Sequence, residues 1–420
     1  MRVIVGADVG GTSSKVAVGL ADGPVLSYAT GPGGNIRSSP GSVRANLAQT
    51  LTAALAAAAD RDRRVAALTA RSGRPGGRGG SLAVVVGAGP VAAGAADGGR
   101  GLADADAAGI EVAGLVGMAG AGTGADPVPD ALEAVRGAWA DAGLPGEPWL
   151  RGDLAIAYAA AAQAPDGLLL LSGTGAVAAR VQVPGSAIAG GDTWAGLEVA
   201  ARCDGMGWIL GDLGSGVWIG LAGLRAAAAD LDGRGPATAL TTAILDWAGV
   251  PGGPEARQGL IVAVHAMAPS QYGSVAPLVA GLAASGDRVA SAIVDEAVTA
   301  LVSAAQVVAG SAPSEAGPGS AGGGADPAGH PGPTGPDGAA PAPAEIVLAG
   351  SLLTTAGPVR DGVRAALTAR FGLPQGVEVA LRDAEVPVVG GLRLAAAEAG
   401  WPVGDPAVLA DAVRAVAPRR

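Results

Sequence analysis

The chain opens with three short stretches dominated by apolar residues. A Gly/Thr turn at Gly10–Thr12 joins the first two, Val16 and Val18 alternate with smaller residues, and Asp22-Gly23 leads into Val25–Tyr28, so residues 3–29 read as a three-stranded meander. Val43, Leu47, Leu51 and Leu55 then recur every four residues, which predicts a helix with one apolar stripe, capped by Ser42. A strand follows at Val112–Val116. Asp130 and Glu133 have the spacing of a capping box for a helix carrying Leu132, Val135 and Trp139. Trp149–Gly152 reads as a short strand closing on Asp153, with a helix running on to about Gln163. Leu168–Leu171 and Ala176–Ala178 form a second strand pair around a Gly-Thr-Gly turn. Helices are expected from Ser215–Val217 onward and near 236–248, 255–267, 274–284 and 288–308. The remainder reads as a strand at Glu345–Ala349, a helix from Pro358, a strand at Val377–Leu381, a helix from about Pro387 and a last helix near Pro406–Val416.

Two segments break this pattern. Residues 71–108 are Gly/Ala-rich with little periodicity beyond Ser81–Val86, and residues 309–344 are almost wholly Gly, Pro, Ala and Ser. Both read as insertions, the second with too little apolar content to offset the entropy of ordering. Meanders alternating with helices give an α/β class.

Composition narrows the functions. A chain of 420 residues is enough for about two or three domains with a sizeable core. The net charge of −10 argues against nucleic acid or an anionic membrane as the main partner. No uninterrupted apolar run reaches the ~18 residues of a membrane span, and the first residues read as a strand in place of a leader. With a single cysteine, Cys203, neither a disulfide framework nor a cysteine-only metal site can form within one chain, and a cytoplasmic location is expected. There are two histidines: His265 on an apolar, helix-like stretch and His330 in a Pro/Gly tract. General acid–base chemistry would therefore fall to a carboxylate.

The candidate chemistry lies in two similar turns. Asp8-Val9-Gly10-Gly11-Thr12 and Ser172-Gly173-Thr174-Gly175 each join two apolar strands. Glycines admit an anion close to the backbone, and consecutive N–H groups with Thr hydroxyls can hold it. Two such turns point to a nucleotide gripped between two related domains. Asp8, at a strand end beside the first turn, suits a Mg²⁺ ion held through water. Lys15 is either a phosphate contact or an exposed strand lysine. Asp153 stands where α/β folds place site residues and could take a proton from an attacking hydroxyl. Asp212, flanked by glycines in Gly211-Asp212-Leu213-Gly214, suits a hydroxyl-rich ligand, and Asn35 in Gly33-Gly34-Asn35 is a further polar candidate.

Together these motifs resemble the actin/hexokinase/Hsp70 superfamily, and within it the N-acetylglucosamine kinase branch of the BadF/BadG/BcrA/BcrD ATPases. The resemblance covers most of the chain apart from the two insertions. It implies two ribonuclease-H-like, actin-type ATPase domains with a nucleotide and sugar cleft between them. Residues 1–122 would form the first domain and 123–400 the second, with a C-terminal helix at 401–420 packing back on the first. It implies ATP and Mg²⁺ as cofactors, phosphates held by Gly10, Gly11, Thr12, Lys15, Gly173, Thr174 and Gly175, and adenosine against Gly350 and Ser351. Asp153 takes the place of the catalytic aspartate. The sugar would meet Asn35, Asp153, Thr174, Gly205, Met206 and Asp212.

Met206 and Leu213 depart from the family pattern, which has tryptophan and glutamate at these places. The expectation is an ATP-dependent kinase for the 6-hydroxyl of an amino sugar, N-acetyl-D-glucosamine first, acting as a cytoplasmic homodimer with no nucleic-acid or membrane partner. Glucosamine, N-acetylmuramic acid, another hexose, or sugar binding without catalysis remain open. The family's dehydratase-activating branch needs two cysteines from each subunit for its iron–sulfur cluster, and this chain has one. A sugar-responsive repressor would want an N-terminal helix-turn-helix where this chain has a strand.

Overall fold

A computed structural model describes residues 1–34, 36, 40–69, 109–121, 128–184, 193–310, 343, 345–372 and 379–418. The expected insertions at 71–108 and 309–344 fall almost entirely outside them. The chain forms two compact units. Unit 1 comprises Met1–Pro165, Gln182–Val199 and Val386–Arg420, and unit 2 comprises Asp166–Val181 and Ala200–Glu385. Residues 123–165, grouped with the second domain by the sequence reading, thus belong to the first, as do residues 386–400.

Unit 1 is built on β1 (Arg2–Val9), β2 (Ser13–Leu20), β3 (Val25–Pro32), β4 (Glu111–Met118) and β5 (Trp149–Gly152), in the order β3-β2-β1-β4-β5. The hairpin strands β1, β2 and β3 pair antiparallel, and β4 and β5 add on parallel to β1. Along β1 the side chains alternate between faces. Val3, Val5, Ala7 and Val9 join a core with Val43, Leu47, Leu51 and Leu55 of α1 (Pro40–Arg61) and with Trp139 of α3 (Pro129–Asp141). Short α2 (Arg63–Thr69) continues α1.

Both of these long helices start differently from the expectation. Pro40 and Pro129 take the first helical position, where a missing N–H costs nothing. Ser42 and Asp130 therefore sit within the first turn, and the cap position of α3 is Val128.

The opposite face of β1 is covered by α12 (Val388–Glu398), which arrives late in the chain. The intervening helices are α4 (Asp153–Ala159), α5 (Gly216–Leu231), α6 (Leu240–Trp247), α7 (Ala256–His265), α8 (Ala276–Ala284), α9 (Arg288–Ala309), α10 (Ser351–Thr354) and α11 (Pro358–Phe371). They are followed by α12 (Val388–Glu398) and α13 (Pro406–Val416). α12 lies against β1 and α4 backbone to backbone. A Cβ on Gly6 would sit 2.5 Å from the Leu392 nitrogen, and one on Gly390 would sit 1.8 Å from the Ile156 carbonyl oxygen. On the same helix the buried Arg393 donates to the Gly404 and Ala162 carbonyls and stacks over Trp194 at 4.2 Å. α13, capped by Asp405, packs on β3.

Unit 2 repeats the pattern. Its sheet runs β8-β7-β6-β9-β10, from β6 (Asp166–Ser172), β7 (Ala176–Gln182), β8 (Glu198–Asp204), β9 (Glu345–Ala349) and β10 (Ala380–Ala384), with β9 parallel to both β6 and β10. β8 has no counterpart in the sequence reading because it lacks a buried side: none of its residues is buried and none alternates cleanly. β10 begins at Ala380, later than the expected Val377. α6 and α7 are shorter than expected, and the segment near 274–284 divides into a 3₁₀ turn at Pro269–Val275 and α8. α9 is long and apolar enough, by length and composition, to cross a bilayer. Its Ala290, Ile293, Val294, Ala297, Leu301 and Ala305 follow helical spacing and pack into the core of unit 2 with Leu168, Leu170, Ile346 and Leu348.

The approach of α12 sets a test. Gly390→Ala is expected to destabilise the protein by about 2 kcal/mol or more, since the backbone it would strike cannot move aside. Gly281→Ala, on α8 with nothing within 4 Å of the added carbon, should be neutral or stabilising by up to about 1 kcal/mol. Urea unfolding midpoints of the two variants check the pair.

Candidate functional site

In unit 1 the registers of the parallel strands bring the candidates to one edge. Asp8 on β1 pairs with Gly117 on β4, and Gly117 pairs with Arg151 on β5. Val9, Met118 and Gly152 form the next row. The Gly10–Thr12 turn and Asp153 each leave the sheet just beyond that row, at the carboxyl ends of parallel strands, about 10 Å apart if two strand spacings separate them.

Within the turn, the Gly10 N–H donates to the Ser13 carbonyl and the Gly34 N–H to the Gly10 carbonyl, both at 3.0 Å. Gly11 and Thr12 are exposed, with open space around Gly11. Asp8 is 8% exposed. Its partner is Lys15, directly across the antiparallel pair, with Nζ 2.9 Å from Oδ2. Lys15 is half-buried, and its ammonium balances the charge of Asp8.

Asp153 is half-buried and opens α4, where a carboxylate is favoured by the positive end of the helix dipole. The strand end that carries it is fixed by Arg151, whose guanidinium lies 2.5 Å from Glu398 Oε1 on α12. The same oxygen accepts the Gly196 N–H at 3.1 Å. Asn35 lies outside the described residues.

In unit 2 the structure gathers four of the predicted elements around one turn. Gly173 N–H donates to the Gly175 carbonyl at 2.9 Å, closing the link between β6 and β7, and Thr174 is exposed at its tip. Gly350 crosses this turn with φ +85. A Cβ there would lie 2.3 Å from the Ser172 oxygen and 2.9 Å from the Gly173 nitrogen, so the position demands glycine on both counts. Ser351 follows as the first residue of α10. Gly216 N–H donates to the Gly173 carbonyl at 2.8 Å, and the buried Ser172 hydroxyl donates to the Gly214 carbonyl at 2.9 Å, tying the turn to the start of α5.

Asp212 closes the group. Its Oδ1 accepts the Ala176 N–H at 3.3 Å, and a Cβ on Gly175 would lie 3.1 Å from its Oδ2. Burial pushes the Asp212 carboxyl above the ordinary carboxylate range, and the charge of Asp204 adds to this against the N–H groups of Ala176 and Gly207.

The loop that delivers Asp212 holds a residue the sequence reading passed over. Asp204, at the end of β8, accepts the N–H groups of Asp212 at 2.7 Å and Leu213 at 2.8 Å, with Met206 N–H more distant at 3.4 Å. Asp204 and Asp212 are the two non-glycine residues with positive φ among those described, at +66 and +55. The signal in the sequence was the Asp204-Gly205 pair, a common turn former. Gly205 has φ +73 and would press a Cβ onto Val177. The rest of the loop turns apolar side chains outward: Met206, Trp208, Ile209, Leu210 and Leu213 are all exposed. Trp208 meets Tyr272 edge to face at 6.4 Å.

Comparison with known proteins places this arrangement. The model of the BadF/BadG/BcrA/BcrD ATPase family matches residues 5–316, a span that includes both Gly/Thr turns, Asp8, Asp153 and the Asp204–Ser215 loop. Among solved structures the chain is similar to a candidate N-acetylglucosamine kinase from Chromobacterium violaceum. Identity is 18% over 94% of this chain and 99% of that one, with a TM-score of 0.55. It is also similar to a candidate N-acetylglucosamine kinase from Porphyromonas gingivalis, at 14% identity over 95% and 99% and a TM-score of 0.52. At these identities the likeness is one of fold. No curated protein sequence matches. The two mixed sheets, the repeated strand order and the matched span agree, and the chain belongs to the BadF/BadG/BcrA/BcrD ATPase family.

Proposed function

We propose that this protein is an ATP-dependent sugar kinase that phosphorylates the 6-hydroxyl of an amino sugar, with N-acetyl-D-glucosamine the first candidate. The observation that carries the reading is the bare backbone around the Ser172–Gly175 turn. Gly350 passes it without a side chain, Gly216 ties its carbonyl, and a carboxylate, Asp212, stands beside Gly175. Such a surface suits phosphate on the turn, a nucleoside against Gly350 and Ser351, and a hydroxyl-bearing substrate at Asp212.

Gly10, Gly11 and Thr12 offer a second phosphate turn. Among the described residues no group of three or more His, Cys, Asp or Glu could cage a metal. The single carboxylate of Asp8 does fit Mg²⁺ held mainly by water and phosphate oxygens, and the ion, when bound, would offset phosphate charge. Asp153 takes the proton of the sugar hydroxyl as that oxygen bonds to the γ-phosphorus and the bond to the β–γ bridging oxygen breaks, releasing ADP. Phosphoryl transfer asks mostly for alignment and charge stabilisation, so one carboxylate base suffices.

The choice of sugar rests on the Gly205–Ser215 loop. Met206 and Leu213 are both exposed there, giving an apolar rim around one acid. That rim supports an N-acyl sugar and also leaves glucosamine, N-acetylmuramic acid or another hexose in play.

A coupled ADP-release assay across amino sugars and hexoses tests the reading. ADP release dependent on one sugar supports it, and tight sugar binding without ADP release would turn the protein into a sugar-binding module. Asp153→Asn is expected to keep nucleotide affinity within about twofold while turnover falls by roughly 10³-fold or more, on the scale of losing a general base and its alignment. Near wild-type turnover in that variant would remove the mechanism. Gly350→Ala is expected to raise the KM for ATP by about tenfold or more, since a strained left-handed alanine costs at least about 1 kcal/mol and displaces the turn. Its sugar KM at saturating ATP should change little.

A further inference from the structure

We propose that Asp204 is the positioning residue of the substrate loop: its carboxylate clasps the N–H groups of Asp212 and Leu213 and so holds the Asp212 carboxylate against the Gly175–Ala176 turn. The proposal rests on the sugar-kinase reading for its effect on substrate, and on geometry alone for the clasp.

The two hydrogen bonds are short, at 2.7 and 2.8 Å, and both end on one carboxylate. They bridge eight and nine residues, so they close the loop in place of stabilising a local turn. Asp204 also leaves no room for a side chain opposite it: a Cβ on Gly211 would sit 2.1 Å from Asp204 Oδ1. The outcome is that Asp212, itself in the left-handed region, is carried back to the start of β7, where Ala176 N–H meets its Oδ1. The loop's own side chains cannot do this, because Met206, Ile209, Leu210 and Leu213 point to solvent and bury little.

Around the Asp212 carboxylate, the groups from each element are few. Asp204 at the end of β8 brings charge, the turn and β7 bring Gly175 and the Ala176 N–H, the loop brings the Gly207 N–H, and α5 begins with Ser215 and Gly216. Burial, first, and Asp204, second, raise the Asp212 carboxyl. Removing the Asp204 charge should therefore let Asp212 stay ionised to lower pH.

Two variants grade the effect. Asp204→Asn keeps one acceptor oxygen and loses the charge, while Asp204→Gly suits the positive φ and removes both bonds. The sugar KM should rise about tenfold in Asp204→Asn and further in Asp204→Gly, the scale of one and then two charge-assisted hydrogen bonds. The KM for ATP and the turnover at saturating sugar should stay within about twofold. The acid limb of kcat/KM for sugar should move to lower pH in Asp204→Asn, which a merely structural role would not produce.

Amide hydrogen exchange at Asp212 and Leu213, measured on the full chain without ligand, should quicken about tenfold or more in Asp204→Gly, in step with the lost bonds. Unchanged exchange at these two amides overturns the clasp whether or not the protein is a kinase. Unchanged sugar KM with quickened exchange overturns its role in substrate binding. If the wild-type protein releases ADP with no sugar, the kinase reading and the substrate half of the proposal fail together, while the exchange data still decide the clasp.

Discussion

The closest constraint in the molecule is the passage of backbone past backbone where no Cβ fits. In unit 2, a Cβ on Gly350 would lie 2.3 Å from the Ser172 oxygen, and its absence lets the end of β9 lie across the Gly173–Gly175 turn. In unit 1, Gly6 and Gly390 do the same for α12 against β1 and α4. Side chains at these places would push the elements apart by more than the slack of a close-packed interior. What they would lose differs. At Gly350 it is the bare surface a nucleotide would need, and at Gly390 it is the seat of the helix that covers Asp8's face of the sheet.

The shared strand order explains why the same kind of turn occurs twice. In each unit a tight turn joins the first two strands, and the two later strands add on parallel to the first. The carboxyl ends of the parallel strands then lie together, so residues just past those ends converge without being near in sequence. Gly10–Thr12 and Asp153 meet at one edge in this way, and Gly173–Gly175 and Gly350 at the other. The hairpin turn brings closely spaced backbone N–H groups, and the crossover strands bring acids or a bare glycine.

That logic was largely legible in the sequence. The meander over the first strands, the α1 stripe and the Leu168–Leu171 strand all follow apolar periodicity, and each is buried as its pattern requires. What was not legible depends on partners distant in the chain. β8 is half-buried along its length, with no buried face to read, and owes its place to pairing with β7. The return of α12 to unit 1 is decided by Gly6 and Gly390 together, and neither glycine says so alone. Lys15 was open between two roles because periodicity fixes the face of a strand residue and not its neighbour; the register put it opposite Asp8. Asp204 was invisible for a similar reason, since its partners lie eight and nine residues on, past seven glycine or apolar residues that read as ordinary loop.

The two candidate acids of the separate units show how neighbours divide labour between like residues. Asp8 sits beside a cation, so its charge is compensated within the protein. Asp212 sits beside another acid, and among the described residues the Ala176 and Gly207 N–H groups compensate it. Holding it there requires two aspartates in the left-handed region, at a cost on the order of 1–3 kcal/mol each. The charge-assisted bonds at Asp204 contribute about 1.5–3 kcal/mol apiece and offset that strain. A loop balanced so closely has little reason to exist for packing, since its apolar side chains stay in solvent. On the sugar-kinase reading proposed above, that strain serves to present the Asp212 carboxylate as an acceptor to a ligand rich in hydroxyl donors.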